Sequence, residues 1–435
     1  MALTLSHALR RVKSQLQLLV PDRQIERICR DCGHHWRKRL LEPAITVHLM
    51  LLQLLATVAL SGLPAVSDAP VSGEAIRKAK LRLPLKLFYK LVRRVCPKDP
   101  ASTPLWHGLI VLIADGVSFM TEDTPELCGR YGKSSNGRRP SHARPTPKLL
   151  AMLDLSGGFI HRVIALPWAR QERTCLSRLF DACPKGSLLL GDRGLVGHAH
   201  LAMMLERGIH GCFRLPRWLV TRGRGTALRC CKQRLGKQDL LVTWKRNHWG
   251  KTRQASWMSK RRWFELPKQL TLRQIAFRIT RRGFRTRWAW IITTLSDAQA
   301  YPAQELVELY SKRWRIEVCF RDLKQTLGFR QLRSKKLDSV RREILATVIL
   351  YNLIRRVMLR SAQLQKVPPD RISFKAAMLW LLWNGSTAAL AELRVNPLRP
   401  QRPTQPRLVK QRQRKYAQIK QNRSDLLQPP AEVKL

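Results

Sequence analysis

Three acidic residues stand where a metal-dependent hydrolytic site could form. Asp115 ends a short apolar run at residues 107–116, Asp192 ends a second run that begins at residue 187, and Glu317 lies in a charged amphipathic segment. Carboxylates that converge repel one another unless a cation neutralises them, and their oxygens suit magnesium or manganese. Two such ions can hold the attacking and leaving oxygens of a phosphodiester. The three residues therefore predict a site for Mg²⁺, or Mn²⁺ in its place, with two ions.

The segment around Glu317 is predicted to be one long helix with two distinct faces. Pro302 precedes it and Gly328 follows it, which is typical of helix starts and ends. At about 100° per residue, Tyr310, Arg313, Glu317 and Lys324 share one arc. An adjoining stripe is apolar and is the expected core face: Leu309, Ile316, Phe320, Leu323 and Leu327. The alternative for such a run is an ordinary solvated surface helix.

The charge of the chain points to a polyanionic partner. The 435 residues include 81 Lys and Arg against 29 Asp and Glu, a formal net charge of +52. Such an excess is too large to be neutralised internally, so DNA or RNA is the first candidate and a membrane surface a weaker one. The apolar fraction of 44% excludes a chain that is disordered throughout.

The ten cysteines show no regular framework, which is typical of reduced thiols in a cytoplasmic protein. Cys29, Cys32 and His34 resemble zinc ligands, but no second pair of ligands follows at a suitable distance, so free thiols at a helix end are favoured. The apolar stretch at residues 45–65 contains His48 and Pro64 and predicts a buried helix in preference to a membrane span.

Coarse patterning predicts an α/β protein with a ribonuclease-H-like catalytic core. The N-terminal helices are predicted at residues 5–19, 22–39, 44–60 and 73–95. They are followed by three strands, a helix, a fourth strand, a second helix and a fifth strand. The first three strands are expected to be antiparallel, and the later two to be added in parallel. The first and fourth strands are then neighbours, so Asp115 and Asp192 should meet.

Six regions follow from this order. They are an α-helical N-terminal DNA-binding domain (1–104), the first part of the core (105–215), a β-rich insertion before the last catalytic helix (216–296), the signature helix with the helix after it (297–360), a C-terminal helical region (361–395) and a basic tail predicted to be disordered (396–435).

The spacing Tyr310-x2-Arg313-x3-Glu317-x6-Lys324 resembles the signature of bacterial insertion-sequence transposases of the DDE class, in the IS-four family that includes the transposon-five enzyme. The resemblance extends from about residue 115 to residue 360. Further matching stretches are Ala114-Asp115-Gly116, Gly191-Asp192-Arg193 and Leu350-Tyr351-Asn352-Leu353-Ile354-Arg355.

The resemblance implies a role for each position that matches. Asp115, Asp192 and Glu317 would be the metal ligands. The DNA-binding residues would be Tyr310, Arg313 and Lys324, which hold phosphates, Trp290, which stacks on a base flipped out of the transposon end, and Trp314 near the same strand. Removing a base from the stack costs a few kcal/mol, about what an aromatic face can offset.

Trp290 and His198 could also be core residues without a direct role at the site. Trp288 lies on the same predicted strand as Trp290, and either could be a core residue. His198 lies six residues after Asp192, where core packing or helix capping is favoured over a role in positioning water.

The implied reaction is cut-and-paste transposition of the element's own terminal inverted repeats. End cleavage would pass through a DNA hairpin, and strand transfer into target DNA would follow. Two protomers would pair the ends, so a homodimer on double-stranded DNA is expected, in the bacterial cytoplasm at the nucleoid. The alternatives are another ribonuclease-H-like nuclease such as a junction resolvase, and a catalytically inactive, basic DNA-binding relative.

Overall fold

Helices and one large sheet make up the part of the chain that the computed structural model describes, namely residues 2–37, 39–67, 70–97, 105–133, 144–216, 219–220, 229–249, 257–279, 287–384 and 386–397. The predicted basic tail lies outside the described residues from residue 398 onward. No helix within these ranges is long and apolar enough to cross a membrane.

The sheet has nine strands in the order β3-β2-β1-β4-β5-β9-β8-β7-β6. The strands β1, β2 and β3 are antiparallel, β4 runs parallel to β1, and β5 runs parallel to β4. The strand bounds are β1 Ile110–Ser118, β2 Lys148–Asp154, β3 Ile160–Leu166, β4 Ser187–Gly191, β5 His210–Leu215, β6 Arg229–Gly236, β7 Asp239–Lys245, β8 Gln269–Ile279 and β9 Arg287–Thr293.

The first five strands have the order and directions predicted from the sequence. Because β1 and β4 are hydrogen-bonded neighbours, with Ala114 opposite Gly191, Asp115 and Asp192 follow paired residues on adjacent parallel strands. The topology therefore brings two of the three predicted carboxylates to the same place on the sheet.

The predicted β-rich insertion extends this same sheet. Strand β9 pairs antiparallel with β5 and places Trp290 opposite Leu215, and β8, β7 and β6 follow outward as antiparallel neighbours. Strand β6 at Arg229–Gly236 was not predicted; its sequence RCCKQRLG lacks the apolar alternation by which strands are recognised.

Fourteen α-helices are described. Their bounds are α1 Ala2–Gln17, α2 Asp22–Asp31, α3 Pro43–Ala56, α4 Leu63–Ser67, α5 Gly73–Arg82, α6 Leu85–Val95, α7 Pro125–Tyr131, α8 His198–Glu206, α9 Lys260–Glu265, α10 Ala303–Ser311, α11 Arg315–Arg321, α12 Leu337–Leu364, α13 Phe374–Leu379 and α14 Thr387–Ala391.

Two predicted N-terminal helices are shorter than expected. The helix over 73–95 is divided into α5 and α6, because Leu83 precedes Pro84 and takes an extended backbone conformation that proline favours in its neighbour. The helix over 22–39 ends at Asp31, and Gly33 follows with φ +72°.

Helices cover both faces of the sheet. One face carries the segment from α10 to α12, and the N-terminal helices pack on α12, chiefly through α6 and α3. The other face carries α8 and a 3₁₀-helical segment at Glu172–Ala182, whose Leu176, Leu179 and Phe180 are buried. The N-terminal helices thus share a hydrophobic core with the helix that follows the signature segment.

A buried ion pair ties the extended part of the sheet to the start of the signature segment. Arg273 on β8 is 1% exposed and its Nε lies 2.9 Å from Asp239 Oδ1 on β7. Its Nη1 donates to the carbonyl oxygens of Tyr301 (2.6 Å) and Asp297 (3.2 Å), just before α10. The contacts fix the loop from which the signature segment begins.

Replacing Arg273 by methionine is expected to lower the free energy of unfolding by about 3–5 kcal/mol, because Asp239 would remain buried without its counter-ion. Chemical denaturation followed by circular dichroism measures the change. The double variant Arg273→Met/Asp239→Leu removes both charges and should recover most of the loss. A single variant as stable as the parent would show that this pair does not support the fold.

Candidate active site

The signature segment is a continuous helical run with two irregular turns. Helix α10 passes through a 3₁₀ turn at Lys312–Trp314 into α11, and a π-helical turn at Asp322–Thr326 follows. Leu327 ends this turn, and Gly328 follows with φ +70°. All five residues of the predicted apolar stripe are buried: Leu309, Ile316, Phe320, Leu323 and Leu327. The predicted core face is confirmed.

Arg313 joins two of the predicted metal ligands. Its Nη1 lies 2.8 Å from Asp115 Oδ2, and its Nη2 lies 3.6 Å from Glu317 Oε1, one turn further along the helix. The Gly116 N–H donates to the other oxygen of Asp115 at 2.8 Å. Arg313 is only 8% exposed, so its guanidinium lies between the strand and the helix, where it neutralises both carboxylates.

The neighbouring carboxylates raise the pKa values of Asp115 and Glu317. Burial raises the pKa of Asp115, the negative charge of Asp192 raises it further, and Arg313 opposes both effects. The pKa of Glu317 is likewise raised, first by burial and then by Asp115 and Asp192. Burial by itself would lower the pKa of Arg313, but the negative groups around it raise it. The charge of Asp192 thus acts on both Asp115 and Glu317, and the sheet topology predicted the proximity of Asp115 and Asp192.

Tyr310 is placed differently from its predicted role as a phosphate contact. Its hydroxyl donates to the carbonyl oxygen of Gly191 at 3.2 Å, and the side chain is buried. Burial also raises the pKa of Tyr310, so the hydroxyl keeps its proton. The contact is to the residue immediately before Asp192, and it fixes the end of β4 relative to the signature helix.

The carboxylate oxygens of Asp115, Asp192 and Glu317 suit a hard divalent cation, although Arg313 contacts Asp115 and Glu317 in this structure. Among the described residues no three His, Cys, Asp or Glu side chains have the mutual geometry of a metal site. Asp115, Asp192 and Glu317 offer only carboxylate oxygens, and their mutual repulsion is the kind that a bound cation relieves. The chemistry of the cluster fits magnesium or manganese, once Arg313 moves away from Asp115 and Glu317.

The profile described as Transposase DDE domain matches residues 106–353, which is more than half of the chain. The chain belongs to this family of DDE transposases. The family resemblance inferred from the signature spacing is thereby confirmed, and the matched region contains all three carboxylates and the whole signature segment.

The chain is also similar to individual proteins. The chain is 28% identical over 371 residues to transposase InsG for insertion sequence element IS4 of Escherichia coli. This alignment covers 80% of this chain and 78% of InsG. It is 26% identical over 113 residues to the putative transposase InsZ of Escherichia coli, covering 26% of this chain and 38% of InsZ. A solved piggyBac transposase synaptic complex with hairpin DNA aligns with 87% of this chain and 80% of its own, at 10% identity and a TM-score of 0.45.

Lys324, Trp314 and Val318 lie on the same helical segment as Glu317. Lys324 lies in the π-helical turn and is half-buried, and burial followed by the charge of Arg330 lowers its pKa. Trp314 is 64% exposed and Val318 is 45% exposed, one turn apart and beside Glu317. An apolar surface patch of these two residues thus borders the cluster.

The two tryptophans of strand β9 differ in exposure. Trp290 packs against the core beside β5, whereas Trp288 is 45% exposed and has the Arg278 guanidinium over its ring at 5.7 Å. Trp290 is therefore less accessible to a stacked base than Trp288. His198 is buried next to Trp244, with ring centroids 6.4 Å apart, which agrees with the favoured core-packing interpretation.

One carboxylate near Asp115, that of Glu172, was not predicted from the sequence. Glu172 opens the 3₁₀ segment that follows β3, and its carboxylate lies against Gly116, where an added Cβ would come within 2.3 Å of Glu172 Cδ. Burial raises the pKa of Glu172; Lys148 lowers it and Asp115 raises it. The one signal in the sequence was Gly116 itself, since glycine in a strand often marks a close approach.

Proposed function

We propose that this chain catalyses metal-dependent cut-and-paste transposition of an insertion sequence, on a ribonuclease-H-like core formed by β1–β5. The observation that supports this most is the cluster in which Asp115 on β1 and Glu317 on the signature helix share Arg313, with Asp192 following the paired strand β4. The order and directions of strands β1–β5 support the same core.

Asp115, Asp192 and Glu317 would hold two Mg²⁺ or Mn²⁺ ions, which supply charge neutralisation at the phosphate and lower the pKa of the attacking water. The Glu317 side chain is 41% exposed and so accessible to a DNA strand, whereas Asp115 is fixed by the Gly116 N–H. Tyr310 keeps the end of β4, and with it Asp192, in register with the signature helix.

In the proposed reaction, water attacks the phosphodiester at the transposon end and releases a 3′-hydroxyl. That hydroxyl attacks the opposite strand to form a hairpin, a second water opens the hairpin, and the freed 3′-hydroxyls attack target DNA. Each step exchanges one P–O bond for another, so no covalent intermediate with the protein is required.

The DNA would be held by cations and aromatic faces around the cluster. Lys324 and, after its release from the carboxylates, Arg313 would contact phosphates. Trp314 is exposed near Glu317 and would contact the same strand. An unstacked base would stack at strand β9, on Trp290 and on Trp288, which is the more accessible of the two rings. Base stacking on an aromatic side chain contributes about 1–3 kcal/mol.

Paired ends require two active sites, so we propose that two protomers act together as a homodimer on DNA in the bacterial cytoplasm, at the nucleoid. The net charge of +52 supports association with the DNA backbone through counterion release.

The test is strand cleavage of duplexes that carry the inverted repeats flanking the gene, with Mg²⁺ present. Hairpin-ended products that disappear in Glu317→Ala support the proposal. Cleavage of branched junctions without end specificity would identify a junction resolvase. Binding of the repeats with no cleavage by the parent protein would identify an inactive DNA-binding relative and would contradict the proposed activity.

Lys324→Ala is expected to weaken binding of the repeats and to lower the slope of log affinity against log salt by about one, because one phosphate contact is lost. The matched control is Lys312→Ala, at an exposed lysine on the same helical run. Fluorescence anisotropy at several salt concentrations measures both variants. An unchanged slope in Lys324→Ala, or a loss of folding seen by circular dichroism, would show that this side chain does not bind phosphate.

A further inference from the structure

A short basic segment follows the signature helix and precedes α12. Residues 330–336 read RQLRSKK and contain no acidic residue. Their four cations are all exposed, namely Arg330, Arg333, Lys335 and Lys336, whereas Leu332 between them is buried. The segment, called the basic segment below, begins six residues after Lys324, and the signature spacing assigns it no role.

Hydrogen bonds hold both ends of the basic segment against the core. The Met120 N–H donates to the Arg330 carbonyl oxygen at 3.0 Å, and the Leu332 N–H donates to the Met120 carbonyl oxygen at 2.9 Å. The Thr124 hydroxyl donates to the Lys335 carbonyl oxygen at 3.0 Å. These bonds use only main-chain atoms of the segment, so its backbone is fixed while its basic side chains remain at the surface.

The carboxylates beside the basic segment bind its main chain and not its cations. Glu343 accepts the N–H of Arg333 at Oε1 (3.2 Å) and the N–H of Ser334 at Oε2 (3.1 Å). Glu126 Oε1 accepts the N–H of Leu337, the next residue along the chain, at 3.2 Å. In the part of the chain that the structure describes, none of the four cations forms an ion pair. The segment therefore presents uncompensated positive charge.

The basic segment lies next to a cation of the signature helix. Burial lowers the pKa of Lys324, and the positive charge of Arg330 lowers it further, so these two side chains are near enough to repel each other. The segment is also hydrogen-bonded to Met120, which is five residues after Asp115 on the chain that continues β1. The basic segment thus continues the row of cations that begins at Lys324.

The length and composition of the basic segment fit a nucleic-acid backbone. Its six residue steps span at most about 22 Å. One strand of a DNA duplex carries a phosphate about every 3.4 Å along the helix axis, so the segment can lie along about six phosphates at most. The segment contains no aromatic residue on which a base could stack, and exposed cations attract phosphates by releasing counterions.

We propose that the basic segment binds the phosphate backbone of the DNA duplex that extends from the scissile phosphate, and that it aligns this duplex with the carboxylates. Phosphate contacts fix the register of a protein on DNA and carry no sequence information. The segment should therefore bind repeat and unrelated sequences equally. The inference rests on the proposed function in that the ligand is the DNA on which the chain acts.

The test is ethylation interference, with the full chain and duplexes that carry the inverted repeats flanking the gene. Ca²⁺ replaces Mg²⁺ so that the DNA is not cleaved. An ethylated phosphate weakens binding wherever the protein must contact it. Arg330→Ala/Lys336→Ala should remove the interference at a run of at most about six phosphates next to the scissile one. The slope of log affinity against log salt should fall by about two, because two phosphate contacts are lost.

Two further double variants are the controls. Arg330→Lys/Lys336→Arg keeps both charges and should retain the interference pattern of the parent protein, because the contact is with phosphate charge. Arg360→Ala/Lys366→Ala removes one exposed arginine and one exposed lysine at the C-terminal end of α12. That end is about 40 Å from the basic segment, so interference next to the scissile phosphate should not change.

Three outcomes would overturn the inference. They are interference that is unchanged in Arg330→Ala/Lys336→Ala, loss of the same phosphates in the charge-keeping variant, which would make the role of the segment structural, and loss of the same phosphates in Arg360→Ala/Lys366→Ala. Absence of duplex binding by the parent protein would overturn the inference and the proposed function together.

The inference and the proposed function can fail separately. Glu317-dependent cleavage in Mg²⁺, with interference that does not depend on the basic segment, would remove the inference and leave the proposed function intact. Interference that depends on the segment, with no cleavage by the parent protein in Mg²⁺, would support the inference and contradict the proposed activity.

Discussion

Glu317→Gln is expected to abolish strand cleavage, by a factor on the order of 10³ or more, while the protein remains folded and binds the repeats. The amide has the shape of the carboxylate but lacks its charge, so it would hold a divalent cation weakly and lose several kcal/mol of transition-state stabilisation. Glu317 is 41% exposed and its carboxylate interacts with Arg313 at 3.6 Å, so little stability depends on it.

A gel assay of cleavage with Mg²⁺, together with thermal unfolding, measures this effect. The matched control is Glu308→Gln, at an exposed glutamate one helical segment earlier, which should cleave like the parent. Parent-like cleavage by Glu317→Gln would remove Glu317 from the active site. Equal loss in both variants would mean that the helix, not the carboxylate, had been disturbed.

Arg313→Ala is expected to have two opposite effects that no other substitution in the cluster should combine. DNA cleavage should fall by about 10²-fold or more, because the variant lacks the charge that we propose contacts phosphate. Binding of Mn²⁺ in the absence of DNA should become about tenfold tighter, since Asp115 would no longer be hydrogen-bonded to a guanidinium at 2.8 Å. Isothermal titration calorimetry measures the second effect independently of activity.

The pH dependence of Arg313→Ala has a definite sign. Arg313 lowers the pKa values of Asp115 and Glu317, so its removal should raise them further above their ordinary values. Carboxylates bind a metal ion when they are deprotonated. The pH below which Mn²⁺ binding is lost should therefore be higher in the variant than in the parent protein.

Arg321→Ala is the control, because Arg321 is exposed on the same helix and does not contact Asp115 or Glu317 in the described structure. It should change neither metal binding nor its pH dependence. Weaker Mn²⁺ binding by Arg313→Ala would show that Arg313 holds the carboxylates together and does not compete with the metal ion for them.

The placement of the carboxylates could be predicted because it depends on topology alone. Asp115 and Asp192 follow two apolar runs, and once these runs are neighbouring parallel strands the residues must lie near each other. The apolar stripe of the signature helix was predictable for a similar reason, since side-chain burial follows the helical period through Leu309, Ile316 and Phe320.

The polar face of the same helix could not be predicted as reliably. A uniform rotation per residue ignores the 3₁₀ turn at Lys312–Trp314 and the π-helical turn at Asp322–Thr326, each of which shifts the residues after it. Tyr310 and Arg313 also turn out to be buried, with partners on β4 and β1. These contacts depend on tertiary packing, and local spacing contains no information about them.

We propose that Asp115, Asp192 and Glu317 bind the divalent ions needed for cleavage, and the variant Asp192→Cys tests this ligation. Asp192 is half-buried, and the smaller cysteine side chain fits in its place. A thiolate binds Mg²⁺ poorly and softer ions such as Mn²⁺ more readily. The measurement is the rate of end cleavage by this variant in each metal, relative to the parent protein. If Asp192 is a metal ligand, the variant should show no detectable cleavage with Mg²⁺ and partial recovery with Mn²⁺. Equal rates in the two metals would contradict metal ligation by this residue.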